Sequence, residues 1–479
     1  LSEPVNHASG FRWTIIGQVV GQGALLAGSI LLSRALGPSE FGLFAMVSLI
    51  GSVSGIVVSF GVTHAIVQQQ KLNQTQLSSL FWFNVALGVL FSIIFFLGAP
   101  WLAVFYDQPQ LVSITRWYSI VPFLTALVNV PAGVLTRDLN YKSQALSIIF
   151  AVTISYAVSL FSVSKGAGVL AFVIQAALYQ AILAIINFRW SRWIPSFTFS
   201  TSSIIPVKKF SVPLLGSQVI DFLFFNLDVL LAGKFLGKRE LGVYGRANAL
   251  VMLPANNIGQ LLAKSFFPIF SAHQDQPKVL TDYYLRSTKV LLMLVLPALA
   301  LLAFTAQDLI LFLLGNDWLD SAQLVVLLAG LGIFGAVNTF NDSMIISQGK
   351  SKLLLKITLF DKTVLAIALF IGLKYGIAGL AVAKVFAVVL ASIPRGYVVL
   401  RLTQIHLLDF MKRFKAVFIA LAVMIVAEVM LIRISVNLPL FLRLLATTLP
   451  AGIVYAAILY VMKESGLDDL KKLFRFNKK

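Results

Sequence analysis

Leu36-Gly37-Pro38-Ser39-Glu40-Phe41-Gly42-Leu43-Phe44 returns 200 residues later as Leu236-Gly237-Lys238-Arg239-Glu240-Leu241-Gly242-Val243-Tyr244. Both copies read Leu-Gly, two variable residues, Glu, an apolar residue, Gly, an apolar residue and an aromatic. Each sits between two long apolar runs. A turn repeated at one offset implies two copies of one helical unit. In membrane transporters such repeats flank the substrate path. A second match extends the repeat. Lys165-Gly166-Ala167-Gly168-Val169-Leu170-Ala171 is echoed by Lys374-Tyr375-Gly376-Ile377-Ala378-Gly379-Leu380-Ala381.

The chain has 479 residues, of which 58% are hydrophobic and 12% charged. Its mean hydropathy is +0.89. A soluble domain is about 45–50% apolar and about 25% charged, so these values describe an integral membrane protein. The longest polar stretches, 188–209 and 271–289, are too short to fold alone. With no Cys, disulfides and thiolate metal sites are excluded. His7, His64, His273 and His406 are scattered, with no paired spacing for a metal. The first apolar segment lacks a small-residue cleavage site, so no removable leader is expected within it. The net charge of +19 is spread over many short connections. That pattern fits membrane topology and not nucleic-acid binding.

A membrane-crossing helix needs about 20 mostly apolar residues. Fourteen segments qualify, among them 11–33, 41–64, 210–235, 247–270, 376–400, 414–434 and 438–462. The expected fold is an all-α polytopic membrane protein with about 14 transmembrane helices. Helices 1–6 match helices 7–12. Each copy holds an even number of helices, so the two are parallel six-helix lobes, with two further C-terminal helices. The expected divisions are 1–209, 210–413, and 414–479 for helices 13–14 and the tail. Of the 38 Lys and Arg, 26 fall on the side carrying both termini, 10 on the other, and two (Lys362 and Lys384) within spans. The positive-inside bias places both termini in the cytoplasm.

Polar residues within spans are costly and tend to face water or a partner. Helix 1 carries Gln18, Gln22, Ser29 and Ser33 on one face. Helix 7 carries Ser217, Asp221 and Asp228 on one face. Helix 8 carries Arg246, Asn256, Asn257, Gln260 and Lys264. Arg34 and Lys234 stand at equivalent positions, each two residues before a repeated turn. With Arg246 they would form a basic mouth for a diphosphate or acidic sugars, since guanidinium binds phosphate oxygens bidentately. The bland alternative is snorkelling to the headgroups. Asp228 and Asp221 are candidates for coupling an ion gradient, against a structural ion pair for Asp228. Lys384 is expected to pair with Asp361, and Glu428 with Arg433 or Arg443. Trp101, Trp117, Trp190, Trp193 and Trp318 read as interfacial belts.

Several stretches resemble the polysaccharide transporter family. They are Leu32-Ser33-Arg34-Ala35-Leu36-Gly37-Pro38-Ser39-Glu40-Phe41-Gly42, Phe60-Gly61-Val62-Thr63-His64-Ala65-Ile66-Val67-Gln68 and Leu80-Phe81-Trp82-Phe83-Asn84. In the second half, Phe225-Asn226-Leu227-Asp228-Val229-Leu230-Leu231-Ala232-Gly233 and Leu241-Gly242-Val243-Tyr244-Gly245-Arg246-Ala247 are similar to family motifs too. The family lies in the multidrug/oligosaccharidyl-lipid/polysaccharide exporter superfamily, and the Wzx-like flippases are the type most resembled. The resemblance implies a two-lobed bundle around a central cavity and alternating access. It implies, as substrate, an undecaprenyl-diphosphate-linked oligosaccharide for exopolysaccharide, capsule or O-antigen synthesis in the bacterial inner membrane. It also implies a groove for the lipid tail at helices 13–14. Expected partners are that lipid, the bilayer, and a polysaccharide polymerase and chain-length regulator. No cofactor is expected beyond proton or sodium coupling. A drug or cation antiporter of the same superfamily is the alternative. A membrane glycosyltransferase or polymerase is disfavoured, because the one acidic cluster, Asp308, Asp317 and Asp320, reads as a capped turn. No nucleotide-binding loop is present, and enzymatic activity is not expected.

Overall fold

The computed structural model describes residues 7–59, 62–68, 72–201, 215–405, 407–462, 464 and 466. Every regular element among them is helical. The order is α1 (His7–Ser59), α2 (Val62–Gln68), α3 (Gln74–Tyr106), α4 (Leu111–Tyr118), α5 (Ile120–Arg137), α6 (Tyr141–Ser164) and α7 (Leu170–Ser191). There follow α8 (Leu215–Phe225), α9 (Leu227–Phe235), α10 (Lys238–Ala272), α11 (Pro277–Phe304), α12 (Ala306–Leu313) and α13 (Leu319–Ser347). The last are α14 (Ser351–Gly372), α15 (Gly376–Thr403), α16 (Leu407–Arg413), α17 (Lys415–Ile434) and α18 (Leu440–Val461). Ten helical stretches among the described residues are long and apolar enough to cross a membrane, or eleven counting the bent pair α8–α9. The chain forms two compact units, Leu1–Gly242 and Val243–Lys479. The expected 209/210 boundary lies outside the described residues.

The repeated turn is far shorter than its sequence suggests. In α1 it is a single break at Gly37 (φ 79°, ψ 174°), followed by Pro38 at the start of the next limb. Its copy is Gly237 (φ 89°), directly before α10. Only glycine adopts such angles without strain, and proline suits the first helical turn. The two turns meet within the first unit. A methyl group on Gly42 would overlap the carbonyl oxygen of Lys238, and one on Gly242 would overlap that of Pro38. Residues 38 and 42 thus face 238 and 242 reciprocally.

The polar stretch 271–289 is not a loop. α11 starts at Pro277, a favoured first-turn residue, and carries that stretch into the membrane segment. In the second unit, α17 and α18 pack on α11 through Leu285, Leu292, Met293, Leu296, Met424 and Tyr455. The Tyr455 hydroxyl donates to the Met293 carbonyl at 3.2 Å. Trp318 and Trp193, expected at a lipid interface, are buried in protein instead, whereas Trp101 and Trp117 are exposed.

Candidate functional site

The first limb of α1 packs through its glycines. A methyl on Gly17 would come 2.6 Å from the Ala145 Cβ of α6, and one on Gly21 would come 2.9 Å from Ile148. Gly28 sits under the Tyr156 ring. Small residues let two helix backbones approach closely. This places Gln18, Gln22 and Arg34 on the open side of α1, all exposed. The rest of the expected polar face differs. Ser29 is half-buried and donates to the Leu26 carbonyl of its own helix, and Ser33 is buried.

Helix 7 is not one straight helix. It bends by 50° between α8 and α9. Asn226 occupies the break, its amide donating to the Phe222 carbonyl at 2.9 Å. The bend separates the residues expected on one face. Asp221 and Ser217 are exposed on α8, whereas Asp228 is 1% exposed in the first turn of α9. A carboxylate there is favoured by the helix dipole. Lys234 pairs with Asp107 of α3 (Nζ–Oδ2 3.2 Å) and lies 5.4 Å from the Phe105 ring centre.

α10 carries the largest polar face. It is 35 residues long, yet it is not among the ten apolar stretches. Its packed side runs through Val251, Ala255, Gly259, Leu262 and Ala263. Gly259 lets the backbone approach Ala336 of α13. Ser321 and Ser343 donate to the carbonyls of Val243 and Ala263, at 3.0 and 3.1 Å. The opposite side holds Asn256, Asn257, Gln260 and Lys264, all exposed. From Asn256 to Lys264 this open polar line runs about 12 Å at 1.5 Å per residue. Arg246 is buried, two residues from Tyr244, whose ring carries the Lys384 ammonium at 5.8 Å. The structure thus brings Asn256, Gln260 and Lys264 together in the second unit. In the first unit Gln18, Gln22 and Arg34 are exposed on α1, and Lys234 pairs with Asp107.

The strongest buried charge cluster was not expected. Arg395 of α15 donates from Nε to Asp342 of α13 at 2.7 Å and from Nη1 to Asp361 of α14. Arg395 is 6% exposed. One guanidinium thus ties three helices, using two edges of its planar fork. Asp361 therefore pairs with Arg395, and the expected Lys384 partner is instead over Tyr244. The clue in sequence is the presence of ionisable residues within three successive helices, Asp342, Asp361 and Arg395 among them. Arg443, an expected partner of Glu428, pairs instead with Asp308 of α12 (Nε–Oδ2 2.9 Å). Gly315 leads into the 3-10 turn Asn316–Trp318, but no side chain caps it, contrary to the capped turn expected. Glu428 is fully buried on α17, and neither of its oxygens has a hydrogen-bond partner. Among the described residues no group of three His, Asp or Glu is placed to hold a metal ion.

Residues 31–323 match the family model described as polysaccharide biosynthesis protein. Among curated relatives, the teichuronic acid biosynthesis protein TuaB of Bacillus subtilis (strain 168) is 27% identical over 339 residues, covering 70% of this chain and 69% of that protein. Among solved structures, the lipid II flippase MurJ in an inward closed conformation superposes with a TM-score of 0.71 at 13% identity. The match covers 94% of this chain and 98% of that one. An inward-facing multidrug resistance MATE family transporter of the MOP superfamily gives a TM-score of 0.64 at 15% identity, covering 82% and 98%. The chain therefore belongs to the polysaccharide biosynthesis protein family, and its fold is shared with the flippase and the multidrug transporter just named.

Proposed function

We propose that the protein is a flippase, carrying an undecaprenyl-diphosphate-linked oligosaccharide repeat unit across the bacterial inner membrane by alternating access. The product would feed exopolysaccharide, capsule or O-antigen synthesis, beside a polymerase and a chain-length regulator. The observation that carries the reading is the open polar line on α10. A long helix between membrane spans keeps Asn256, Gln260 and Lys264 exposed opposite its packed face, which suits a water-filled path lined for sugar hydroxyls and phosphate. Gln18, Gln22 and Arg34 on α1 offer the same chemistry. Lys234 and Arg246 would add charge near the repeated turns, and Asp221 or Asp228 would couple a proton or sodium gradient.

Fourteen crossings also fit this reading. The stretch Ile16–Ser59 has 44 residues and Ser351–Thr403 has 53. At 1.5 Å per residue each exceeds about 60 Å, twice the hydrocarbon thickness. Each also has an internal break, at Gly37 and between Gly372 and Gly376. Two crossings for each of these, one for α8–α9 and one for α10 bring the ten apolar stretches to fourteen. Two six-helix lobes and a C-terminal pair follow, with both termini cytoplasmic by charge bias.

The test is deletion of the gene in its host. Loss of surface polysaccharide with accumulation of lipid-linked repeat units is expected. The MATE-like fold favours a second reading, a drug or cation antiporter. Altered drug tolerance with normal polysaccharide would select that reading and overturn the first.

A further inference from the structure

Past the end of α7, residues 192–200 run without regular secondary structure along the first turns of α3. Arg192 turns the chain through a left-handed conformation (φ 51°). Hydrogen bonds then fix the strap at Trp193, Ile194, Ser196 and Ser200. The Trp193 indole donates to the Gln74 side-chain oxygen at 2.8 Å, and the Gln74 amide donates to the Ile194 carbonyl at 2.6 Å. The Ser196 backbone N–H donates to the Ser78 hydroxyl at 2.9 Å, and the Trp82 indole donates to the Ser196 carbonyl at 2.9 Å. The Ser200 N–H donates to the Ser79 hydroxyl at 2.8 Å. Trp193 is buried against Phe81 and Phe188.

Three apolar side chains of the strap are exposed: Phe197, stacked on Trp82 of α3, at 94%, Ile194 at 77% and Phe199 at 57%. Such a row on a rigid backbone marks an interaction surface. Arg189 and Arg192, both exposed, stand at its start. α3 has 33 residues, about 50 Å, so it overhangs the about 30 Å hydrocarbon core. Its first two turns, where the strap lies, then fall at headgroup depth. Aromatic side chains favour that depth, and arginines there reach lipid phosphates.

We propose that residues 189–201 form an interfacial anchor that seats Ile194, Phe197 and Phe199 at the acyl boundary, with Arg189 and Arg192 on anionic lipid headgroups. The occupant is the bilayer surface, argued from the charge of the two arginines and from continuity with the membrane-spanning α7. The anchor does not depend on which membrane face the strap occupies or on what the protein carries.

The chain has no Cys, so Phe197→Cys gives it a single thiol. The test labels it with a fluorophore in vesicles of phosphatidylglycerol and phosphatidylethanolamine. Asp138→Cys, at an exposed helix end, serves as the aqueous reference. Quenching at 197 by lipids spin-labelled near the headgroup is expected to exceed quenching by aqueous iodide several-fold, with the reverse at 138. Replacing each arginine by Gln should lower the preference for phosphatidylglycerol over phosphatidylcholine about fivefold. Equal access of iodide at both positions would overturn the anchor. So would protection of 197 from both quenchers, which would mean that a protein covers it. A lipid preference unchanged by the arginine substitutions would remove the headgroup contact.

Discussion

Gly42→Ala is the most direct probe of how the two repeated turns meet. The new methyl would occupy the same space as the Lys238 carbonyl oxygen, and the same position is 3.2 Å from the Gly242 nitrogen. A relaxed carbon–oxygen contact is about 3.3–3.6 Å, so the two backbones must part by roughly 1–2 Å to admit it. Overpacking of this kind costs about 1–3 kcal/mol. Removing a helical glycine returns about 1 kcal/mol of propensity. Gly55→Ala isolates the clash, because its methyl would meet nothing within 4 Å. A domain of about 150–250 residues loses about 2–4 °C of melting temperature per kcal/mol. Gly42→Ala should therefore melt about 2–12 °C below Gly55→Ala when purified protein is heated and assayed by size-exclusion chromatography. Gly242→Ala should behave alike. The double substitution should cost less than the sum, because one separation relieves both overlaps. A Gly42→Ala protein as stable as Gly55→Ala would refute the close approach of the turns.

Other substitutions test the second unit. Arg395→Ala leaves Asp342 and Asp361 without their shared partner and should cost about 3–5 kcal/mol, read as a fall in membrane level and melting temperature. Arg395→Lys should rescue little of it, because an ammonium cannot span two edges as a guanidinium does; full rescue would contradict the bridging geometry. Glu428→Leu should leave stability unchanged or raise it by about 1–3 kcal/mol, since a buried polar group without a hydrogen bond is costly. A lowered melting temperature would show that the carboxyl has a partner. The triple substitution Asn256→Leu, Gln260→Leu and Lys264→Leu should keep normal protein level and abolish polysaccharide output in complementation. Wild-type output would remove α10 from the path.

The membrane class and the backbone breaks at Gly37 and Gly237 follow from composition and from glycine placement. Both are chemical facts of the sequence. The packing consequences are not local. Asp221 and Asp228 share a face only while helix 7 is straight, and the break at Asn226 separates them. Arg395 reads as a cation near the end of a span. Its burial depends on carboxylates 53 and 34 residues away on two other helices. Lys234 likewise takes Asp107, which is 127 residues distant, over the acid nearer in sequence. The open line on α10 was legible because i, i+4 spacing fixes a face, and the neighbouring glycine and alanines identify which side packs. Arg246 was legible as a polar residue in a span, but not as a buried one.

The polar face of α10 has a consequence for biogenesis. Translocon insertion scales charge about 2.5–3.5 kcal/mol for a lysine or arginine at a helix centre. A segment carrying Arg246, Asn256, Gln260 and Lys264 is therefore a poor substrate for release into lipid on its own. Its serine-capped and glycine-fitted contacts are with α13, which emerges from the ribosome later. α10 should thus linger beside the translocon until α13 arrives. Nascent chains cut before Leu319 should then leave α10 extractable by alkali, whereas chains continuing past Ser347 hold it in the membrane.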